Sequence, residues 1–132
     1  MPRTNKRTLL DIARLDLFTA KTMFEHLSED DKLLDICAYH CQQCVEKVAK
    51  YMILQQGDDY VNDHRVEAYI SDLRDGKIKE LILSIEYDID NWATSVRYRG
   101  TIFSSRKAVE SVIAVCDELI SLAKAEMPPL ID

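Results

Sequence analysis

From Leu10 to Ala123 the apolar residues recur three and four positions apart and almost never alternate with period two, which is the spacing of helix faces rather than of strands. Leu10, Ala13, Leu17, Ala20, Phe24 and Leu27 mark a first helix over about residues 8–27, closed by the polar run SEDDK. Ser28, Asp30 or Asp31 can cap a second helix that runs to about residue 56 and stops at Gly57, where a glycine suits a left-handed C-terminal cap. A shorter third helix, with Asn62 or Asp63 as N-cap, carries Val66, Tyr69, Ile70 and Leu73 and ends at Asp75-Gly76. The spacing of Ile78, Leu81, Ile82, Ile85, Ile89, Trp92 and Val96 predicts one unbroken fourth helix reaching the RYRG stretch at 97–100. The fifth starts at Ser104 or Ser105 and continues through Ala108, Val112, Cys116, Leu119 and Ala123 until Pro128 and Pro129 forbid further helix.

Long amphipathic helices with short connections predict an all-α fold, an up-down four-helix bundle with the short third helix riding on the longest connection. The chain has 132 residues, enough for a single core without disulfides or metal. No repeat or linker divides it, so the expectation is one domain over 1–132, with its core at 8–126 and frayed ends at 1–7 and 127–132. Three glycines and three prolines leave long helices uninterrupted. The net charge of −6 argues against a general nucleic-acid binder, although it permits a local basic patch. No stretch approaches the roughly 18 to 20 apolar residues of a membrane helix, and the basic N-terminal segment is interrupted by Asp11 and Asp16 before reaching signal-peptide length. A cytoplasmic protein with no membrane partner and with reduced cysteines is expected.

Three of the four cysteines, Cys37, Cys41 and Cys44, lie close together with His40 in the second helix. On a wheel at about 100° per residue with Cys37 at zero, Cys41 falls at about 40°, Cys44 at about 340° and Val48 at about 20°. Zinc needs four ligands within about 2.3 Å, whereas a helix rises roughly 10 Å between positions 37 and 44. The cysteines therefore read as small hydrophobes of the core in preference to a metal or redox site. On the same wheel His40, Lys47, Gln43 and Lys50 follow one another as a polar strip beside that core, with Glu46 further round, on the side opposite Cys37. Two readings of the strip stand: a solvated flank with Glu46 and Lys50 as an i,i+4 ion pair, or a polar wall facing a groove or a partner.

The stretch YHCQQCVEKVAKYMI resembles the second-helix signature of HEPN domains (higher eukaryotes and prokaryotes nucleotide-binding), with Tyr39, His40, Gln42, Gln43, Glu46, Lys47 and Lys50 on the family pattern. Cys41 and Cys44 occupy positions usually held by alanine. The segment from Asp16 to Phe24 resembles the family's first helix, His64 the histidine opening its short third helix, and Arg97-Tyr98-Arg99 its Arg-Tyr turn. The resemblance spans about residues 8–126.

It implies a bundle of four or five helices, commonly a homodimer, found in bacteria and archaea beside nucleotidyltransferases and in toxin-antitoxin and other defence modules. One branch contains metal-independent ribonucleases whose site is an arginine followed four to six residues later by a histidine. Here the corresponding positions hold Ile102, Phe103 and Ser104 counted from Arg97, and Ser104, Ser105 and Arg106 counted from Arg99; no histidine follows His64. With the proton-transferring group absent from the motif, and no phosphate-cradling loop or nucleophile motif elsewhere, the chain alone is expected to be non-catalytic. Arg97, Arg99, Arg106 and Lys107 form a basic corner that either binds phosphate or pairs with Asp88, Asp90 or the acids at 29–31.

The resulting expectation is a nucleotide- or nucleic-acid-binding accessory module without metal or cofactor. It would use His40, Gln43, Lys47, Lys50, His64, Arg97, Tyr98 and Arg99, and act with a separately encoded nucleotidyltransferase or in a defence pair. The alternatives are an antitoxin-like protein-interaction subunit and a ribonuclease with a degenerate motif. Apolar residues off the best core stripes, Leu9, Ile12, Leu15, Ile36 and Leu83, support the homodimer.

Overall fold

The computed structural model describes residues 4–27, 32–98 and 105–126, and among them the chain is all-α. Its helices are α1 (Thr4–Phe24), α2 (Lys32–Gln55), α3 (Val66–Ile70), α4 (Lys77–Ser84), α5 (Glu86–Tyr98) and α6 (Arg106–Glu126). Helix α1 begins four residues before the predicted start at 8, because nothing in the polar turn TNKRT opposes helix even though it has no apolar position to signal one. Its C-terminal turn tightens, with Leu27 N–H bonding to Phe24 O at 3.3 Å, and Leu27 is buried. The proposed caps Ser28, Asp30 and Asp31 lie outside the described residues, as do Pro128 and Pro129.

Helix α2 ends as its sequence requires. Gly57 has φ +95°, Gly57 N–H bonds to Leu54 O at 3.0 Å and Asp58 N–H to Ile53 O at 3.1 Å. These are the paired bonds of a Schellman cap, which needs a left-handed residue at that position. Helix α6 starts with Ser105 Oγ accepting the Ala108 N–H at 3.0 Å, an N-cap at one of the two predicted serines.

Two local expectations need correction. Helix α3 has Arg65 as its N-cap residue, with no side-chain cap of its own. Asp63 instead accepts the Arg65 N–H at 2.9 Å, and Asp90 of α5 accepts the Val66 N–H at 2.6 Å. The predicted fourth helix is two helices, α4 and α5, separated at Ile85, whose φ −121° and ψ 14° leave the helical region. The turn before it is overwound: Ile85 N–H bonds to Ile82 O at 3.1 Å, and the Ser84 hydroxyl donates to Leu81 O at 2.5 Å. Ile82, Ile85, Ile89 and Trp92 all remain buried across the bend, which is why the apolar spacing concealed it.

Helix α2 is the centre of the bundle, packing against α1, α6, α5 and α3; α1 also packs on α6, and α3 rests on α4 and α5. Asp16 meets His40 and Lys47, and Ala20 meets Cys37, so α1 and α2 run antiparallel. All four cysteines are buried. The Cys37 thiol donates to Ala20 O at 3.3 Å and the Cys116 thiol to Cys41 O at 3.8 Å. Burial pushes Cys37 up to about 11, and the thiols of Cys41 and Cys44 together with burial push Cys116 well up. Cys37 and Cys116 stay protonated, and the buried cysteines pack as small hydrophobes, as the wheel suggested for those of α2. Of the off-stripe apolar residues, Leu9 packs partly against the core, whereas Ile12, Leu15, Ile36 and Leu83 are exposed.

Candidate functional site

The polar residues of α2 form a hydrogen-bonded chain anchored by two carboxylates. At one end Asp16 of α1 holds His40 Nδ1 at 2.8 Å and Lys47 Nζ at 3.3 Å. Lys47 also donates to Gln43 Oε1 at 2.6 Å, Gln43 Nε2 donates to Gln42 Oε1 at 2.8 Å, and Gln42 Nε2 donates to Glu46 Oε1 at 2.9 Å. At the other end Glu46 receives Lys50 Nζ at 2.7 Å and His64 Nδ1 at 3.0 and 3.1 Å on its two oxygens. The Lys50 ammonium also lies 4.9 Å from the centroid of the Tyr60 ring.

Burial bears on the solvated-flank reading of the strip at the ion pair it named. Glu46 and Lys50 do pair at i,i+4, yet their side chains are only 5% and 8% exposed, so the solvated-flank reading is wrong at this pair. Buried charges persist only when paired and hydrogen-bonded, and both conditions are met here. Burial opposes ionisation of Glu46, but the hydrogen bonds from Lys50, His64 and Gln42 outweigh it and hold the carboxyl below the usual carboxylate range. Lys50 is thereby committed to Glu46 and Tyr60 and is not a surface cation.

The single wall inferred from the wheel is in fact two clusters. His40, Lys47 and Gln43 sit where α1 meets α2, while Gln42, Glu46, Lys50 and His64 sit beneath the segment 58–65 that follows α2. The Gln43–Gln42 bond joins them. A carboxylate that accepts from Nδ1 fixes the proton there and leaves Nε2 of the neutral ring as an acceptor. Both histidines are held in this way. Neither Nε2 has a hydrogen-bond partner among the described residues, and the side chains are 26% and 40% exposed for His40 and His64. With both imidazoles neutral, two carboxylates balance two ammonium groups, and each imidazole protonation adds one positive charge.

Sequence reasoning missed Asp16, Gln42, Glu46 and Tyr60 as members of the site. Asp16 gave a signal: it stands three residues after Ala13 and four before Ala20, on the core stripe of α1, where a carboxylate demands a partner. The basic corner is not brought to this network by anything described. Arg97 and Tyr98 belong to the last turn of α5 with side chains outside what the structure describes, and Arg99 lies outside the described residues. Arg106, at the first position of α6, lies 5.9 Å from the Phe24 ring centroid. Asp90, a proposed partner for these arginines, instead caps α3.

Among the described residues no group of three His, Cys, Asp or Glu side chains could hold a metal ion, and no helix is long and apolar enough to cross a membrane. A family model described as HEPN domain matches residues 7–126, most of the chain. No curated protein matches the sequence, and no solved structure matches it.

Proposed function

Because the chain belongs to the HEPN domain family, whose function is nucleotide- or RNA-related, we propose that it is a non-catalytic module that holds a nucleotide or a nucleotide-bearing partner molecule at the carboxylate-anchored histidines. The observation that carries this reading is the pair of partly exposed imidazoles, each fixed through Nδ1 by a carboxylate and each without a partner at Nε2 among the described residues. His40 lies beside Lys47, Gln43 and the exposed Tyr39 ring, whose centroid is 5.2 Å from that of the imidazole. Such a group offers hydrogen bonds and stacking to a base, with the Lys47 ammonium as a donor to phosphate. Arg97, Tyr98 and Arg99 remain candidates for a phosphate-binding corner in the same module, which would serve a separately encoded nucleotidyltransferase or a toxin-antitoxin pair in the cytoplasm of a prokaryotic cell.

His40 is anchored from α1 and His64 from Glu46, six residues further along α2, an offset of about 9 Å of helix rise. The absence of a histidine four to six residues after Arg97 or Arg99 supports binding rather than ribonuclease chemistry. Calorimetric titration with adenosine and guanosine nucleotides and with a short single-stranded RNA tests the proposal: binding that weakens in His40→Ala and in Lys47→Ala supports it. Cleavage of the RNA, lost in the same variants, would replace it with the ribonuclease reading. Tight protein partners with no nucleotide affinity would favour the antitoxin-like alternative.

A further inference from the structure

Where α4 breaks at Ile85 and α5 begins, an open groove of about 610 Å³ is lined by Leu83, Ser84, Glu86, Tyr87, Asp90 and Asn91. Its walls combine two kinds of group that a protein does not ordinarily leave without a partner. The apolar part is exposed: Tyr87 is 82% accessible, more than any other large hydrophobic side chain among the described residues, and Leu83 is 45% accessible. The polar part is one-signed. Glu86 and Asp90 contribute carboxylates; among the described residues no lysine or arginine lines the groove, and Glu86 and Asn91 have no side-chain hydrogen bond or ion pair. Behind it, Asp63 and Glu67 add negative charge, and Arg65 is already bonded to both. Burial pushes the Asp90 carboxyl up, and the charges of Glu67 and Asp63 add to the shift.

Position in the first turn of α5 explains an acid at residue 86 by the helix dipole. It does not explain an aromatic ring exposed next to that acid, nor a leucine exposed on the other side of the bend. A guanidinium group fits all three. It hydrogen-bonds in a fork to a carboxylate, stacks flat on a tyrosine ring, and brings an aliphatic stem that covers apolar surface. We propose that the α4–α5 groove is a docking site for an arginine-bearing segment of a partner protein, with Glu86 and Asp90 receiving the guanidinium and Tyr87 and Leu83 packing on its stem and neighbouring residue. The segment comes from a protein rather than a free polyamine because exposed Leu83 and Tyr87 line the groove together with the carboxylates, so covering them takes apolar side chains next to the charge.

The test is an NMR titration of the full chain with a capped pentapeptide carrying two arginines around a leucine. The same peptide with citrulline for arginine, and spermine, serve as separate arms. The expected result is amide shifts concentrated at residues 83–91 and affinity that falls with salt. It should weaken about threefold to fivefold in Glu86→Gln and in Tyr87→Ala, and stay unchanged in Asp58→Asn with Asp59→Asn, exposed acids of another segment. Both groove substitutions are at side chains without internal bonds, so circular dichroism should show the native helix content. Undiminished peptide binding in the Glu86→Gln, Tyr87→Ala double variant would overturn the site. Equal binding of the citrulline peptide would overturn the role of charge, and spermine binding as tightly as the peptide would overturn the protein segment as occupant.

Discussion

His64 donates its Nδ1 proton to both oxygens of Glu46, at 3.0 and 3.1 Å, and so ties the segment after α2 to a carboxylate in the middle of that helix. The same carboxylate holds Lys50 at 2.7 Å and Gln42 at 2.9 Å. One buried group thus fixes a histidine, a lysine and an amide at once.

Glu46→Gln should therefore be strongly destabilising, because it leaves the Lys50 ammonium buried without its counter-charge. The cost of breaking such a pair is about 3 kcal/mol or more, read as a shift of the urea midpoint. Adding Lys50→Met to Glu46→Gln should recover much of the loss, since the uncompensated charge is then gone. Additive losses in the double variant would show that the pair is not coupled as described.

The acid side of the stability profile follows from the same group. The folded pKa of Glu46 lies below its ordinary value of 4.5, so its contribution is present above about pH 4.5 and is lost as pH falls through the folded value. Asp90 works in the opposite direction: its folded pKa is raised above 3.8, so its protonated form is favoured in the native state and it contributes most at low pH. Denaturation as a function of pH should show the wild-type protein losing stability below about pH 4.5 more steeply than Glu46→Gln. Parallel profiles would contradict the assignment of Glu46.

The positions of the helices were legible in the chain because α1, α2 and α6 carry unbroken stripes with strong stop signals, such as Gly57 with φ +95°. The bend at Ile85 was not, because the apolar residues keep helical spacing through it and no glycine or proline marks it. At the site, the family pattern included His40, Gln42, Gln43, Glu46, Lys47, Lys50 and His64, but the wheel set Glu46 apart from the polar strip, on the side of α2 opposite Cys37. That helix is packed by four others, so its buried arc is far wider than a single stripe. The partner of His40, Asp16, lies in another helix, and pairing across helices is a tertiary fact that the periodicity of one helix does not contain.

For the cysteines, replacement of Cys37, Cys41 or Cys44 by alanine should cost only about 1 kcal/mol, the loss of a sulfur's volume from the core. Purified protein should carry less than stoichiometric zinc, and chelation should leave the melting temperature unchanged. Loss of helicity with a chelator would overturn the core assignment.

For assembly, Ile12, Leu15 and Phe18 on α1 and Ile36 and Tyr39 on α2 are exposed large hydrophobics on two helices packed together. A homodimer through this face is expected by light scattering at micromolar concentration. Leu15→Glu combined with Phe18→Glu should yield a folded monomer; a wild-type monomer would count against the dimer outright.

The most direct measurement of the central claim is the nitrogen NMR spectrum of the imidazoles during titration with adenosine monophosphate and with a short single-stranded RNA. The account predicts that free His40 and His64 both show the Nδ1-protonated form set by Asp16 and Glu46. Ligand should then perturb the Nε2 resonance of His40 or His64, while the RNA stays intact over the experiment. Unperturbed Nε2 resonances at saturating ligand, or RNA cleavage that depends on these histidines, would contradict it.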